Sequence, residues 1–291
     1  MTPYANLHLH STHSDGVYTP TELVAIAKQE GYRALALTDH DTVTGCPEMK
    51  VACEKEGLEF LFGAEFSVPK YHIVGFGFDP TYPQMKQYLA DMALRQTDNT
   101  RQCFDLAASK GDINGITWDE VLDFNPDVAW LCNNHVFRAM KAKGLIVESE
   151  YMHWFDQNFR KQRKLFPPLY DFLPPDRLIK LIHDAGGIAI LAHPNGKLGD
   201  IPGLVEYGLD GIEVWHPDLP EDERTRAHDV AREYGLMISG GTDHSGLCGG
   251  YYSSYPTEEE LKQSSHYIPP LHFGTTHHYF NELAQARLMR D

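Results

Sequence analysis

The sequence predicts an α/β fold, a seven-stranded (β/α) barrel with an inserted helical subdomain. Short apolar runs that suit strands alternate with segments of helical pattern, an order typical of a largely parallel sheet. Seven such strands are enough to suggest a barrel. Histidine and carboxylate residues repeatedly follow these runs. Since function in barrels gathers at the carboxyl ends of the strands, the same pattern predicts where the site lies.

The individual elements have local start and stop signals. Strands are predicted at about 4–9, 33–38, 58–66, 71–78, 188–192, 211–215 and 236–240, and helices at 20–30, 48–56, 175–185 and 221–234. In the first helix we expect Thr19 as the N-cap, Pro20 at the first position and Glu22 in the opening turn. Three of these helices end at a glycine that precedes an apolar run, which predicts a left-handed C-cap leading into a strand.

The alternation of strands and helices stops between about 80 and 170. Helical patterns cover 82–110 and 134–143, and an aromatic-rich segment lies at 151–155. Because both flanks return to the barrel pattern, we predict a barrel formed by 1–79 and 171–291, with residues 80–170 inserted as a helical cap.

Composition limits the functional classes. The chain has 291 residues and a formal net charge of −16, which argues against a general nucleic-acid binder and against long nucleic acid as a partner. No apolar segment approaches the roughly 18 residues of a membrane span, and no leader pattern is present. The five cysteines lack a CxxC pair, which favours reduced thiols and a cytoplasmic location. The oligomeric state stays open.

Candidate metal ligands recur at the ends of the predicted strands. They are His8, His10, Asp15, His40, Glu65, His72, His193 and Asp243. Neutral imidazoles with a few carboxylates can hold several divalent ions close together, and such a cluster activates water and clamps a phosphoryl group. These nitrogen and oxygen ligands suit Mn²⁺, Zn²⁺ or Fe²⁺. A single His-x-His pair is weak evidence for metal binding. Because all eight residues lie at the ends of predicted strands, the alternative that none of them binds metal is a poor one.

The order of these motifs resembles the polymerase-and-histidinol-phosphatase (PHP) family of metal-dependent phosphoesterases. The motifs are His8-x-His10, Ser14-Asp15-Gly16, Thr38-Asp39-His40, Gly63-x-Glu65, His72, Ala192-His193-Pro194 and Gly241-Thr242-Asp243. The resemblance covers residues 4–78 and 175–250. It implies a distorted seven-stranded (β/α) barrel with a trinuclear metal centre.

The resemblance also implies a ligand set for each ion. The three sets are His8, His10, Glu65 and Asp243; Glu65, His72 and His193; and Asp15 with His40. Glu65 is thereby expected to bridge two ions. The family commonly completes the third site with Asp-x-His, whereas here His244 directly follows Asp243. We expect His244 to coordinate, for a total of about two to three divalent ions.

Substrate-binding residues are predicted at two places. Residues 133–140 are similar to a stretch of the PHP subgroup that acts on small nucleotide-like phosphoesters, and this implies phosphate binding by His135 and Arg138. A surface helix with unrelated polar residues is an equal alternative. His216 follows a predicted strand and fits a phosphate ligand or the general acid, or a buried structural histidine. The basic run 160–164 is interpreted as a solvated face that could also attract an anion.

Together these residues predict a metal-dependent phosphoric ester hydrolase. The expected reaction is attack by a metal-bound hydroxide, with Glu65 and His216 as catalytic residues. The expected substrate is a small nucleotide-like ester, either a cyclic phosphodiester or a bisphosphate monoester. The alternatives are a histidinol-phosphate phosphatase, a 5′→3′ exoribonuclease, and a non-catalytic metal-binding module of the same family.

Overall fold

The computed structural model describes residues 3–166, 172–243 and 273–288. The strands are β1 (Ala5–Asn6), β2 (Ala34–Leu37), β3 (Glu59–Val68), β4 (Tyr71–Phe76), β5 (Ile188–Leu191), β6 (Gly211–Trp215) and β7 (Met237–Gly240). The barrel helices are α1 (Pro20–Glu30), α2 (Cys46–Glu56), α7 (Pro175–Asp184), α8 (Ile201–Glu206), α9 (Glu221–Tyr234) and α10 (His277–Leu288). Between β4 and α7 lie α3 (Pro83–Lys110), α4 (Trp118–Phe124), α5 (Asn133–Ala142) and α6 (Tyr151–Phe155).

The strands form one sheet in which spatial order follows chain order, β1 to β7. The seven predicted strands and the α/β class are confirmed. The expectation of a largely parallel sheet needs a correction at β4, which runs antiparallel to both β3 and β5. Only Pro69 and Lys70 connect β3 to β4, and this is far too short for the crossover that a parallel pair requires. The turn therefore reverses the chain and distorts the barrel.

The sheet nearly closes on itself between β1 and β7. The Leu7 amide donates to the Gly240 carbonyl at 3.3 Å, and the Asp243 amide donates to the His8 carbonyl at 3.0 Å. The side chain of Asn6 adds a bond to the Thr242 hydroxyl at 2.9 Å. This seam carries His8 and Asp243, so closing the sheet also brings two candidate ligands together.

Local sequence signals set both ends of α1 and the C-terminal ends of α2 and α9 as predicted, whereas α2 begins at Cys46, two residues before the predicted start. Thr19 caps α1 in a capping box with Glu22, and Pro20 is the first helical residue. The glycines that end α1, α2 and α9 have φ angles of 94°, 74° and 64°. This left-handed conformation favours glycine, because in any other residue the Cβ would come too close to the carbonyl oxygen that follows it. Each helix therefore stops where the next strand must begin.

The helices between β4 and α7 have a hydrophobic core of their own, which includes Phe104, Trp118, Phe137, Trp154 and Phe159. The first turn of α3 instead packs on the barrel core through Met85. Helix α3 thus runs from the barrel into this second cluster. We call the segment between β4 and α7, which contains the cluster, the cap. The exact division at 79/80 and 170/171 stays a prediction. No helix within the described ranges has both the length and the apolar character that crossing a membrane requires.

Candidate metal centre

The two imidazoles of the His-x-His motif lie on the same side of an extended chain that leaves β1. His8 Nε2 is 3.5 Å from Asp243 Oδ1, and His10 Nε2 is 3.0 Å from the same oxygen. His8 and His10 are fully or almost fully buried. Strand-like backbone explains this, since alternate side chains of an extended segment share one face.

Glu65 on β3 occupies the middle of the cluster. Its Oε1 is 2.9 Å from His193 Nε2 and 3.0 Å from His72 Nδ1. Its Oε2 is 3.0 Å from His40 Nδ1 and 3.4 Å from Nε2 of both His8 and His10. The two carboxylate oxygens therefore face two different sets of imidazoles, which is the geometry a bridging carboxylate needs.

His72 reaches this cluster by a different route from the other candidates. It is the second residue of β4, so the expectation that every candidate follows the carboxyl end of its strand is wrong for this residue. Because β4 runs antiparallel, its amino end lies at the same edge of the sheet as the carboxyl ends of the neighbouring strands. The reversal of β4 thus explains how His72 comes to lie beside Glu65.

Two further acids hold the loops around the cluster. Asp39 accepts hydrogen bonds from the amide and hydroxyl of Ser11, both at 2.7 Å, and from the hydroxyl of Ser14 at 2.6 Å. Asp41 accepts from the amide and hydroxyl of Ser67 at 3.0 and 2.8 Å. Both carboxylates are buried and are occupied by these loop contacts, so they support the ligands and leave coordination to their neighbours.

The backbone is unusually constrained at the same place. His193 and Asp243 have φ angles of 29° and 50°, a region that non-glycine residues rarely adopt. A Cβ on Gly16 would overlap the backbone of His10, and a Cβ on Gly241 would overlap the backbone nitrogen of His8. The two motif glycines therefore permit close chain approaches that place the histidines.

The charges in the cluster perturb one another strongly. Burial alone would raise the pKa of Glu65, but His72, His8 and His40 hold its pKa well below the ordinary value. Burial likewise opposes ionisation of Asp243, yet His8 and His10 keep its pKa well below the usual range. These carboxylates are thus ionised in the folded protein, as metal ligands must be.

The donor set fits divalent metal ions. Four groups have ligand atoms within 4.8 Å of one another: His8, His10 and Asp243; His8, Glu213 and His216; His10, His40 and Glu65; and Glu65, His72 and His193. Within the part of the chain that the structure describes, buried polar atoms of these groups lack hydrogen-bond partners, including His8 Nε2, His40 Nδ1 and Glu65 Oε2. Buried unpaired atoms are destabilising, and a cation that all of them face would satisfy them together.

The third predicted ligand set differs most from this geometry. His40 groups with His10 and Glu65. Asp15 lies farther away, at 3.5 Å from His10 Nδ1 and 3.9 Å from His40 Nε2, and it is 30% exposed. His244 lies outside the described residues, so its predicted coordination stays a prediction.

The predicted phosphate-binding pair has mostly structural contacts. His135 is fully buried: its Nδ1 accepts from the Cys132 amide at 2.9 Å, and its Nε2 lies 3.0 Å from the Thr12 carbonyl. Arg138 donates to the carbonyls of Thr12, at 2.9 Å, and Gly16. Both side chains thus fasten α5 to the loop that carries Asp15, and phosphate binding by them stays a prediction.

His216 is also buried behind the cluster. Its Nδ1 accepts a hydrogen bond from the Asp218 amide at 3.1 Å, which leaves the proton on Nε2 in the neutral ring. That nitrogen faces Asp243 Oδ2 at 3.3 Å. With no solvent exposure, the ring is placed to hold Asp243. Its predicted role as a general acid stays a prediction.

A cavity of about 940 Å³ opens above the cluster. Its floor includes His40, His72 and His193, and its walls include Trp130 and Arg163 of the cap. Arg163 donates to Asn133 Oδ1 and lies over the ring of Phe155, with 5.5 Å from guanidinium carbon to ring centroid.

The sequence motifs do not include several residues of this region. Among them are Trp130, Arg163 and, behind the cluster, Glu213. The signal for Arg163 is the basic run 160–164, for which a solvated face is the main interpretation. The signal for Glu213 is a carboxylate inside an otherwise apolar strand.

A buried carboxylate surrounded by imidazoles, at the edge of a (β/α) barrel where the carboxyl ends of the parallel strands lie, is typical of a metal-dependent hydrolase. The family model of the PHP domain matches residues 6–92. A 5′-3′ exoribonuclease from Haemophilus influenzae is 32% identical over 263 residues, covering 86% of this chain and 92% of that protein. The chain therefore belongs to the PHP family, as the motif order predicted.

Two other relatives are similar over most of their length. A phosphoribosyl 1,2-cyclic phosphate 1,2-diphosphodiesterase from Eggerthella lenta is 28% identical, with 84% of this chain and 95% of that protein covered. A 3′,5′-nucleoside bisphosphate phosphatase from Chromobacterium violaceum is 30% identical, with 82% and 86% covered. The named relatives are thus enzymes that hydrolyse phosphoesters.

Solved structures agree on the fold. A protein from Bifidobacterium adolescentis described as a metal-dependent phosphoesterase has a TM-score of 0.68 at 25% identity, covering 89% of this chain and 94% of that chain. An amidohydrolase from Chromobacterium violaceum, with bound sulfate and no metal, has a TM-score of 0.67 at 25% identity, covering 97% and 96%. Both coverages are large enough to include the barrel together with residues of the cap.

Proposed function

We propose that this protein is a metal-dependent hydrolase of small nucleotide-like phosphoesters, either a cyclic phosphodiester or a bisphosphate. The observation that carries the proposal is the convergence of imidazoles on Glu65, three of which, His40, His72 and His193, line the floor of one cavity of about 940 Å³. A cavity of this size suits a compact ligand. Relatives named as a cyclic phosphodiesterase and a bisphosphate phosphatase support the same substrate class.

The cavity walls support an anionic substrate. Lys70, Arg163 and Lys197 line the cavity together with three acids, Asp15, Asp41 and Asp218, and the formal net charge of the chain is −16. The charges nearest to a ligand set the field that it meets, and divalent ions held at the floor would add positive charge there, so net charge alone does not exclude an anion. Arg163 is held in place by Asn133 and Phe155, which prepares its guanidinium for a phosphate.

We assign roles to the residues of the cluster on this basis. The proposed metal ligands are His8, His10, Asp15, His40, Glu65, His72, His193, Asp243 and His244. Divalent ions held there would supply Lewis acidity and an activated water for phosphoester hydrolysis. Glu65 fixes the spacing of its imidazole partners, and Trp130 with the cap covers His40, their ring centroids being 6.1 Å apart.

A second candidate is 5′→3′ exoribonuclease activity. The observation that favours it is the 32% identity, over most of the chain, to a relative of that name. Strand ends of RNA present the same phosphoester chemistry as a small nucleotide. The two candidates differ in one structural requirement. An exoribonuclease must bind the 5′ end of an RNA in the cavity while the remaining nucleotides extend out of it past the cap.

We also propose that the enzyme works in the cytoplasm. Cys46, Cys53, Cys103 and Cys132 are all buried and free, and burial raises the pKa of the Cys103 and Cys132 thiols to about 11. Cys248 lies outside the described residues. Free thiols suit a reducing compartment.

A substrate panel tests the proposal. Protein loaded with Mn²⁺ or Zn²⁺ is assayed with a nucleoside 3′,5′-bisphosphate, a ribose cyclic phosphodiester, histidinol phosphate, an aryl phosphate and 5′-labelled short RNA. We expect the highest kcat/KM on the bisphosphate or the cyclic ester, and loss of turnover with a chelator. A product ladder on RNA with higher kcat/KM would favour the second candidate. No turnover on any ester by metal-loaded protein would favour the non-catalytic module.

Two arginine variants give this test a matched pair. Arg163→Ala removes a cavity-wall cation, so we expect a loss of about one to two decades in kcat/KM on the bisphosphate and little change on the aryl phosphate. Arg138→Ala loosens the loop that carries Asp15, so we expect similar losses on both substrates. If the selective loss follows Arg138 instead, phosphate binding by that residue, as the sequence predicts, is correct.

A further inference from the structure

Glu213 is a buried carboxylate that none of the assigned roles explains. It lies in the middle of β6, within the sequence Gly211-Ile-Glu-Val-Trp215, and is 1% exposed. An ionised carboxylate in such surroundings is destabilising unless it is paired and hydrogen-bonded. A carboxylate buried this completely must have hydrogen-bond partners.

The partners are two of the proposed metal ligands. Glu213 Oε1 lies 2.7 Å from His8 Nδ1. Glu213 Oε2 accepts a hydrogen bond from the backbone amide of His193, also at 2.7 Å. His8 and His193 in turn present their Nε2 atoms to opposite oxygens of Glu65, at 3.4 and 2.9 Å. One buried carboxylate thus holds a ligand on each side of the bridging position.

The contact to His8 has the length of a hydrogen bond. A tetrahedral ion about 2 Å from both atoms would hold them roughly 3.3 Å apart, so the observed separation of 2.7 Å fits a hydrogen bond better than a shared ion. A hydrogen bond at Nδ1 instead keeps the remaining proton of a metal-binding imidazole on that nitrogen. The lone pair of Nε2, which has no hydrogen-bond partner among the described residues, is then free to coordinate.

The contact to His193 acts on the backbone. His193 has a φ angle of 29°, which an L-residue adopts only when its surroundings hold it there. The hydrogen bond from its amide to Glu213 is one such restraint. Without it, the backbone could relax and move the imidazole away from Glu65.

We propose that Glu213 is a positioning residue, which fixes the tautomer of His8 and the backbone of His193 so that both bind metal. The inference rests on the proposed metal-binding roles of these two histidines. It assigns no contact between Glu213 and substrate.

The substitution Glu213→Gln tests this directly. If the amide oxygen of glutamine accepts from His193, its NH₂ group faces His8 Nδ1 and moves the ring proton to Nε2, the coordinating atom. If the amide is turned over, the His193 amide loses its acceptor. In either orientation we expect the affinity for Mn²⁺ or Zn²⁺, measured by titration of the metal-free protein, to fall about 10- to 100-fold.

Asp210→Asn is the matched control. Asp210 immediately precedes the same strand, and its Oδ2 makes the same pair of contacts, to His183 Nε2 and to the Ala189 amide, both at 2.7 Å. This substitution removes equivalent hydrogen bonds at the other end of β6, away from the cluster. We expect it to lower Tm while leaving metal affinity unchanged. Equal losses of affinity in the two variants would overturn the proposal, because they would indicate general loosening of the strand.

A spectroscopic readout separates positioning from folding. In Zn²⁺-loaded protein, long-range ¹H–¹⁵N correlations should place the His8 proton on Nδ1, and Glu213→Gln should remove that signal. Glu213→Asp keeps a carboxylate, so it should recover part of the lost affinity even if the Gln variant folds poorly. Wild-type affinity and an unchanged His8 tautomer in Glu213→Gln would overturn the inference alone. Failure of the wild type to bind metal would overturn the proposed function instead.

Discussion

At the scale of single residues, Glu65 is the side chain on which the cluster depends most. Both of its oxygens face imidazoles, at distances between 2.9 and 3.4 Å. We expect Glu65→Gln to lose bound metal and to lower kcat by about two to four decades, since an amide supplies only one good ligand atom. Elemental analysis and steady-state kinetics on the same preparation check this. Wild-type metal content with wild-type turnover would show that Glu65 is not a ligand.

Protonation at His10 predicts a pH dependence of metal binding. Burial lowers the pKa of His10, but Asp15 and Asp243 outweigh it and raise the pKa to about 9. The metal-free imidazole is therefore protonated at about pH 7, and a metal must displace that proton. Affinity should fall as the pH falls below about 9, with proton release on binding. Calorimetric titrations near neutral pH in two buffers of different ionisation enthalpy measure the release, and identical heats would contradict it.

The site residues that the sequence predicts are marked by a local pattern, whereas those that it misses depend on contacts between distant parts of the chain. His8, His72 and His193 each follow or begin an apolar run, so a local pattern is enough to find them. Glu213 and Arg163 have partners that lie far away in sequence, and only the closed barrel and the folded cap bring them together. Spacing predicts that Arg138 lies on a helix, but it does not predict that the side chain contacts the carbonyls of Thr12 and Gly16.

At the scale of elements, the same distinction holds. Alternating apolar runs and helix caps are sufficient for all seven strands and for the limits of α1 and α9. The pattern of apolar runs does not predict the direction of β4. Direction depends on the length of the connection, because two residues can join only antiparallel strands, whereas parallel strands need a longer crossover such as a helix. The reversed direction also explains the position of His72 in the cluster.

The loop after β7 provides a prediction at this scale. A Cβ at Gly241 would overlap the backbone of His8, and neither chain can give way without opening the seam between β1 and β7. We expect Gly241→Ala to destabilise the protein by about 1–3 kcal/mol and to weaken metal binding. Gly203→Ala is the control, because nothing lies within 4 Å of the place its Cβ would occupy and alanine suits helix α8. Thermal unfolding of both variants measures the difference, and equal Tm values would contradict the close approach.

At the scale of the whole molecule, the candidate ligands come from almost every part of the barrel. His10 follows β1, His40 follows β2, Glu65 lies in β3, His193 follows β5 and Asp243 follows β7. Strand β6 joins the same arrangement through Glu213. A metal bound at this edge therefore links strands that are far apart in sequence, and it does so across the seam where the sheet closes.

This arrangement predicts that metal stabilises the entire fold. A ligand that binds only the folded state at a hundredfold excess over its Kd adds about 2.7 kcal/mol, which corresponds to roughly 5 °C in Tm for a chain of this size. We therefore expect a chelator to lower Tm by about that amount and added Mn²⁺ or Zn²⁺ to restore it. Glu65→Gln is the control, and its Tm should respond much less to chelator. A wild-type Tm that ignores both chelator and metal would mean that these side chains do not hold an ion across the seam, because binding to the folded barrel must raise its stability.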